Sequence, residues 1–142
     1  NEMFQIISDR ALAIGTGMAD NNTIDEINIL NATKQAMRQA VAEAEKQLGD
    51  AIGHVLVDAV TIEGIGNEQT AIIKGYAKSI SIAAASIIAK VTRDNMMKEY
   101  ALEYPYYAFE SNKGYGTKAH YQGINEHGIT PIHRKTFLKG IL

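Results

Sequence analysis

Apolar side chains at Ile27, Leu30, Ala36, Met37, Ala40, Val41, Ala44 and Leu48 recur at the spacing of one helical face, and Thr23 with Glu26 three residues on has the form of a capping box. The pattern predicts a long helix from about Thr23 to Leu48. Before it, residues 11–19 are small and apolar and read as a strand, with Gly15 and Gly17 marking places where another element approaches closely. Residues 54–60 (His-Val-Leu-Val-Asp-Ala-Val) are a nearly continuous apolar run, as expected of a strand buried on both faces of a sheet. Strand, helix and strand in this order suggest a βαβ unit. A shorter apolar run at 70–73 and an alanine-rich helix from Ile80 to about Glu103 follow, the helix ended by Tyr104-Pro105. Its alanines at 83, 84, 85 and 89 are expected to let it pack close to the sheet. The remainder reads as a glycine- and aromatic-rich loop at 106–117, a short helix from Lys118 to His127 and an irregular basic tail.

Composition and charge change this picture. With 142 residues the chain has the size of one domain, and without cysteine it has no disulfide, thiolate zinc site or cysteine nucleophile. No apolar run approaches the ~20 residues of a membrane span, and the first residues lack the form of a signal peptide, so a soluble, cytoplasmic protein is expected. A start on Asn1-Glu2-Met3-Phe4 suggests a piece of a longer protein. Charge is unevenly spread: residues 1–73 have four Lys/Arg against eleven Asp/Glu, a balance of -7, and residues 74–142 have ten against five, a balance of +5. A basic half of this kind suits a polyanionic partner, although solvated helix faces give the same pattern.

Asp58 is a carboxylate in an otherwise apolar strand, near its carboxyl end, where α/β sheets gather their chemistry. Burial without compensation is costly, so a metal ion is a candidate partner, and a loop cap or an Arg is the alternative. Lys113-Gly114-Tyr115-Gly116-Thr117-Lys118 combines two cations, glycines that permit close approach and a ring able to stack on a base or sugar, just ahead of a helix N-terminus. A plain loop with a helix cap is the alternative there. His133-Arg134-Lys135 adds a basic cluster. Arg93-Asp94 reads as a surface ion pair.

Taken in order, Ile24-Asp25-Glu26-Ile27-Asn28-Ile29, Val55-Leu56-Val57-Asp58-Ala59, the run from Ser81 to Asp94, Lys113 to Lys118 and Pro131-Ile132-His133-Arg134-Lys135-Thr136-Phe137 resemble the bacterial ribonuclease HII family over nearly the whole chain. The resemblance implies an α/β ribonuclease H-like αβα layer fold, here incomplete at the N-terminus, as a single domain over residues 1–142 with 104–142 as the substrate-binding loop, helix and tail. It also implies a Mg2+ or Mn2+ dependent endonuclease that cuts the RNA strand of RNA-DNA hybrids, and at ribonucleotides embedded in duplex DNA, by two-metal hydrolysis on four acidic residues. The family's Asp-Glu-x-Gly-Arg-Gly motif, with two of those acids, is absent. The third falls on Asp58, as a catalytic metal ligand. The fourth belongs to a Lys-Gly-Asp-Ala motif that here reads Lys74-Gly75-Tyr76-Ala77, so Tyr76 occupies the acid's place. Nucleic acid is expected at Lys113, Tyr115, Thr117, Lys118, His133 and Arg134, with Tyr115 matching a tyrosine that stacks on deoxyribose. Where relatives read Tyr-Pro-x-Tyr-Gly-Phe, this chain has Ala108, expected to shift a loop. Two other expectations compete: a non-catalytic paralogue that binds hybrid or structured nucleic acid, and a small α/β domain that self-associates through an exposed sheet edge.

Overall fold

The computed structural model describes residues 2–113 and 115–133. The chain divides into two compact units, one running to Ile88 and the other Ala89–His133. It forms helices α1 (Glu2–Arg10), α2 (Asn21–Leu48), α3 (Gly75–Lys78), α4 (Ile80–Glu103), α5 (Phe109–Asn112) and α6 (Lys118–His127), strands β1 (His54–Asp58) and β2 (Glu68–Ile72), and a 3-10 turn at Pro105–Tyr107. This is the expected α/β class.

In the first unit β1 and β2 pair in parallel, from His54 opposite Glu68 to Asp58 opposite Ile72. The β-branched residues of β1 point to one face, where Val57 is buried, whereas Leu56 on the other face is 41% exposed. The expectation of a strand buried on both faces is therefore corrected: among the described residues the sheet has two strands, and the Leu56 face is open. The connection 59–67 is a loop rather than a helix. It holds because the Gln69 amide substitutes for a neighbouring strand: Ile62 N–H donates to Gln69 Oε1 at 2.7 Å, and Gln69 Nε2 donates to the Ile62 carbonyl at 2.8 Å. Helix α2 fastens the same loop. Lys34 pairs with Glu63 at 2.9 Å, and Arg38 donates to the Glu63 carbonyl. Asn67 Nδ2 and the Ile52 N–H both donate to Glu45, and these bonds, Asn67's first, hold its carboxyl below the usual range.

Helix α2 begins two residues before the expected point, and its cap is Asp20, whose carboxylate accepts from the Thr23 N–H at 2.7 Å, rather than Thr23. It is broken at Asn28, with φ 71° and ψ 170°, where the Asn28 side chain accepts from the Asn31 N–H at 3.0 Å and so caps a second helical start. Residues 11–19 form no strand. They run extended along α2, where Gln47 both accepts from the Ile14 N–H and donates to the Ile14 carbonyl, and Gln39 accepts from the Met18 N–H. The two glycines are the reason this fits, since a Cβ at Gly15 would overlap the Ala40 carbonyl and one at Gly17 the Ala36 carbonyl. Gly17→Ala is expected to destabilise the chain by about 1–3 kcal/mol. Gly66→Ala, where a Cβ would meet nothing within 4 Å, is expected to leave the urea midpoint unchanged.

Helix α4 begins and ends as expected, but its buried side chains in the first unit are Ile82 and Ile88, with Ala83 and Ala84 half-buried and Ala85 exposed. Ile82 packs into the space that Gly75 leaves by having no side chain, so a large residue against a glycine makes the close approach assigned to the alanines. In the second unit Met97, Tyr107, Phe109, His120, Ile124 and His133 are buried. Helix α6 lies close to the 3-10 turn because a Cβ on Gly123 would overlap the Tyr106 carbonyl, and the Tyr107 hydroxyl donates to the Gly128 carbonyl at 2.6 Å. Burial pushes the Tyr107 phenol's pKa up. Ala108 stands at φ 56°, ψ 38°, the left-handed conformation that a glycine adopts without strain. Ala108→Gly is accordingly expected to stabilise the chain by about 0.5–1 kcal/mol in thermal unfolding, the gain being what remains after glycine's larger unfolded-state entropy.

Candidate functional site

Two surfaces carry the residues that the sequence singles out, one in each unit. In the first unit Asp58 is the last residue of β1, half-buried, and its Oδ1 accepts from the Gly75 N–H at 2.9 Å. The bond joins the end of β1 to the start of α3, where Tyr76 is the residue after Gly75. Tyr76 is 58% exposed. The residues flanking this contact are strained: Ala59 at φ 64° and Lys74 at φ 53° both occupy conformations that disfavour a Cβ. The contact thus ties Asp58 to the residue that precedes Tyr76 in the chain.

A hard divalent cation takes several charged or carbonyl oxygens, and a neutral phenol is a weak ligand for it. Among the described residues no group of three or more His, Asp or Glu side chains is placed to hold a metal ion. The donor set at Asp58 does not by itself fit a Mg2+ or Mn2+ centre. What it does offer is an exposed-edge carboxylate already oriented by a backbone N–H.

The second surface is the loop ahead of α6. Thr117 caps that helix, its hydroxyl accepting from the His120 N–H at 3.3 Å, and Lys118 is the first helical residue. Tyr115 is 70% exposed. Its N–H donates to the Asn112 carbonyl at 2.9 Å, and its own carbonyl accepts from the Thr117 N–H at 2.9 Å. Lys113, at φ 54°, closes α5, and its carbonyl accepts from the Arg93 guanidinium at 3.0 Å. Lys113, Tyr115, Thr117 and Lys118 therefore follow one another through a short loop into the N-terminus of a ten-residue helix, with the Tyr115 ring exposed. Arg93, read as half of a surface ion pair, instead ties α4 to this loop.

His133 is placed differently from the other expected contacts. It is 5% exposed, with Nδ1 accepting from the Thr130 N–H at 2.8 Å and Nε2 standing 2.7 Å from Nε2 of His120. It lies beneath the loop, where it meets His120 rather than solvent. Arg134 falls outside the described residues. Sequence reasoning passed over His120 and Asn112, both buried under Tyr115. A signal was present, because His120, Gly123 and Ile124 share the buried face of α6 at helical spacing.

No helix among the described residues is long and apolar enough to cross a membrane. The family profile described as ribonuclease HII matches residues 2–139. The ribonuclease HII of Clostridioides difficile (strain 630) is 56% identical over 142 residues, which is all of this chain and 54% of that protein. The chain spans about half the length of the curated relative it matches. With the α/β elements, the Asp58–Gly75 contact and the Lys113–Lys118 loop in the expected order, the match over nearly every residue shows that this chain belongs to the ribonuclease HII family.

Proposed function

We propose that this chain carries the hybrid-recognising part of a ribonuclease H type endonuclease, binding RNA-DNA hybrids and duplex DNA with an embedded ribonucleotide. The observation that carries the reading is the exposed Tyr115 ring in the loop from Lys113 to Lys118, at the capped start of α6. A ring with a fixed backbone offers a face to a sugar or base, and the cations gain from phosphate counterion release. In this reading Asp58 contributes one carboxylate to a divalent-metal-dependent cut, Mg2+ and Mn2+ being the candidates by family. Tyr76 and the absence of the Asp-Glu-x-Gly-Arg-Gly motif leave the present residues short of a catalytic set, so the chain alone binds without cutting.

The test is a labelled duplex containing one ribonucleotide, titrated with this polypeptide and then incubated with Mg2+ or Mn2+. Binding that weakens steeply with salt is expected, without cleavage. Lys118→Ala is expected to flatten the plot of log affinity against log salt by about one unit of slope. Cleavage by the unmodified chain would overturn the requirement for further carboxylates, and failure to bind any hybrid would overturn the recognition role. Self-association is the outcome to read in parallel by size-exclusion mass, since the Leu56 face of the two-stranded sheet is open.

A further inference from the structure

The ring atoms of His120 and His133 define more than a buried contact. A backbone N–H has a proton to give and no lone pair to offer, so His133 Nδ1, which receives the Thr130 N–H at 2.8 Å and has the Thr130 hydroxyl at 3.0 Å as a second, compatible donor, carries no hydrogen. The proton of a neutral His133 then resides on Nε2, facing His120 Nε2 at 2.7 Å. His120 Nε2 must accept it. The proton of His120 is consequently on Nδ1, which lies 2.9 Å from the Tyr115 carbonyl and donates to it. One backbone N–H fixes the tautomer of one ring, that ring fixes the next, and the series ends on the backbone of the exposed tyrosine.

We infer that His120 is a positioning residue for Tyr115, set in the required tautomer by His133, and that the pair holds the nucleic-acid-contacting ring in place without touching substrate. The inference rests on the proposed role of Tyr115 in binding. Both rings are buried, at 6% and 5% exposure, and walled by aromatic neighbours: Phe109 stands 5.2 Å edge-on from His120, and Tyr107 stands 4.9 Å from His133. In that setting neither ring has water to substitute for a lost partner, so the bond order is enforced. The Tyr115 carbonyl receives two donors, the Thr117 N–H and His120 Nδ1, and the Tyr115 N–H is spent on Asn112. Both lone pairs of the Tyr115 carbonyl and the proton of its backbone N–H are therefore used inside the protein, leaving the side chain as the part that faces outward. Preorganisation of this kind raises affinity by removing the ordering loss from the binding step.

Two isosteric replacements separate the two bonds of His120. In His120→Asn the amide nitrogen reaches the place of Nδ1, so the bond to Tyr115 is kept and the link to His133 is lost. In His120→Gln the amide oxygen reaches the place of Nε2, so the link to His133 is kept and the hold on Tyr115 is lost. Each variant loses one hydrogen bond of similar burial, and a merely structural role predicts equal effects. We expect His120→Gln to weaken binding of a ribonucleotide-containing duplex about fivefold and His120→Asn to stay within about twofold of the parent. Equal loss in both, or none in His120→Gln, overturns the inference. A second measurement needs no substrate. Proton–nitrogen correlation spectra of the unmodified chain should show His120 protonated on Nδ1 and His133 on Nε2, and the amide of Thr117 should exchange faster in His120→Gln than in His120→Asn. The opposite tautomer in either ring, or unchanged exchange, also overturns it. If the unmodified chain binds no duplex, the recognition role fails while the spectra still decide the role of His120.

Discussion

Tyr115→Ala is expected to weaken binding of a ribonucleotide-containing duplex roughly ten- to hundredfold, with no loss of stability. A stacked aromatic contributes about 1–3 kcal/mol per base when removed by alanine substitution. The effect on the fold is small because the ring is 70% exposed and makes its hydrogen bonds through the backbone, which alanine retains. Tyr115→Phe keeps the stacking face and is expected to bind within about threefold of the parent, the loss of a hydroxyl contact being the smaller term. Fluorescence anisotropy with a labelled duplex measures all three proteins, and thermal unfolding checks that the alanine variant is intact. If Tyr115→Ala binds as tightly as the parent at every salt concentration, affinity comes from the cations alone and the stacking role is lost.

The contrast between this ring and the histidine pair beneath it shows what a sequence discloses. Elements set by local rules were legible: α4 stops where Tyr104-Pro105 forbids a further turn, α6 spans Lys118–His127, and Asp58 lies at the carboxyl end of its strand, which stops two residues short of the expected 60. Gly15 and Gly17 did mark a close approach, that of helix α2. The reason residues 11–19 were misread is that strand character depends on a paired neighbour. Here Gln39 and Gln47 of α2 satisfy the backbone, and a side-chain amide leaves no periodic trace. The kink at Asn28 was hidden similarly, since the apolar spacing continues across it while the Asn28 side chain restarts the helix.

The candidate site divides along the same line. Lys113, Tyr115, Thr117 and Lys118 are contiguous, so their chemistry could be read as a string. His120 and His133 are thirteen positions apart, and the basic neighbours of His133 made it resemble a surface contact. Nothing local says that His133 turns inward to His120, because that is decided by Tyr107 and Phe109 closing over both rings. Arg93 was misplaced for a related reason. Its adjacent acid suggested a local pair, whereas the Lys113 carbonyl, turned outward by a left-handed residue, is the acceptor.

Tyr76→Asp is expected to reverse the response of this chain to divalent cations. The Gly75 N–H donates to Asp58 at the start of α3, so Tyr76→Asp adds a second carboxylate one residue along the chain from that contact. Without metal, two like charges repel, and the variant should melt below the parent. With Mn2+ they form a pair of oxygen donors, and affinity should rise roughly tenfold, since the charge count of the ligands tunes the binding of hard cations. At a free Mn2+ concentration ten times the new dissociation constant, linkage adds about 1.4 kcal/mol to the variant and about 0.4 kcal/mol to the parent, so the variant gains about 1 kcal/mol relative to the parent and should melt above it. Because Tyr76 is 58% exposed, little packing is lost to obscure the crossing. Titration of free Mn2+ by electron paramagnetic resonance, alongside melting curves with and without the ion, measures both halves. Asp58→Asn in the same background should abolish the gain. A Tyr76→Asp variant that binds Mn2+ no better than the parent, or equally well with Asn at position 58, would show that the two positions do not share a cation, and that the bond from Gly75 to Asp58 serves the fold alone.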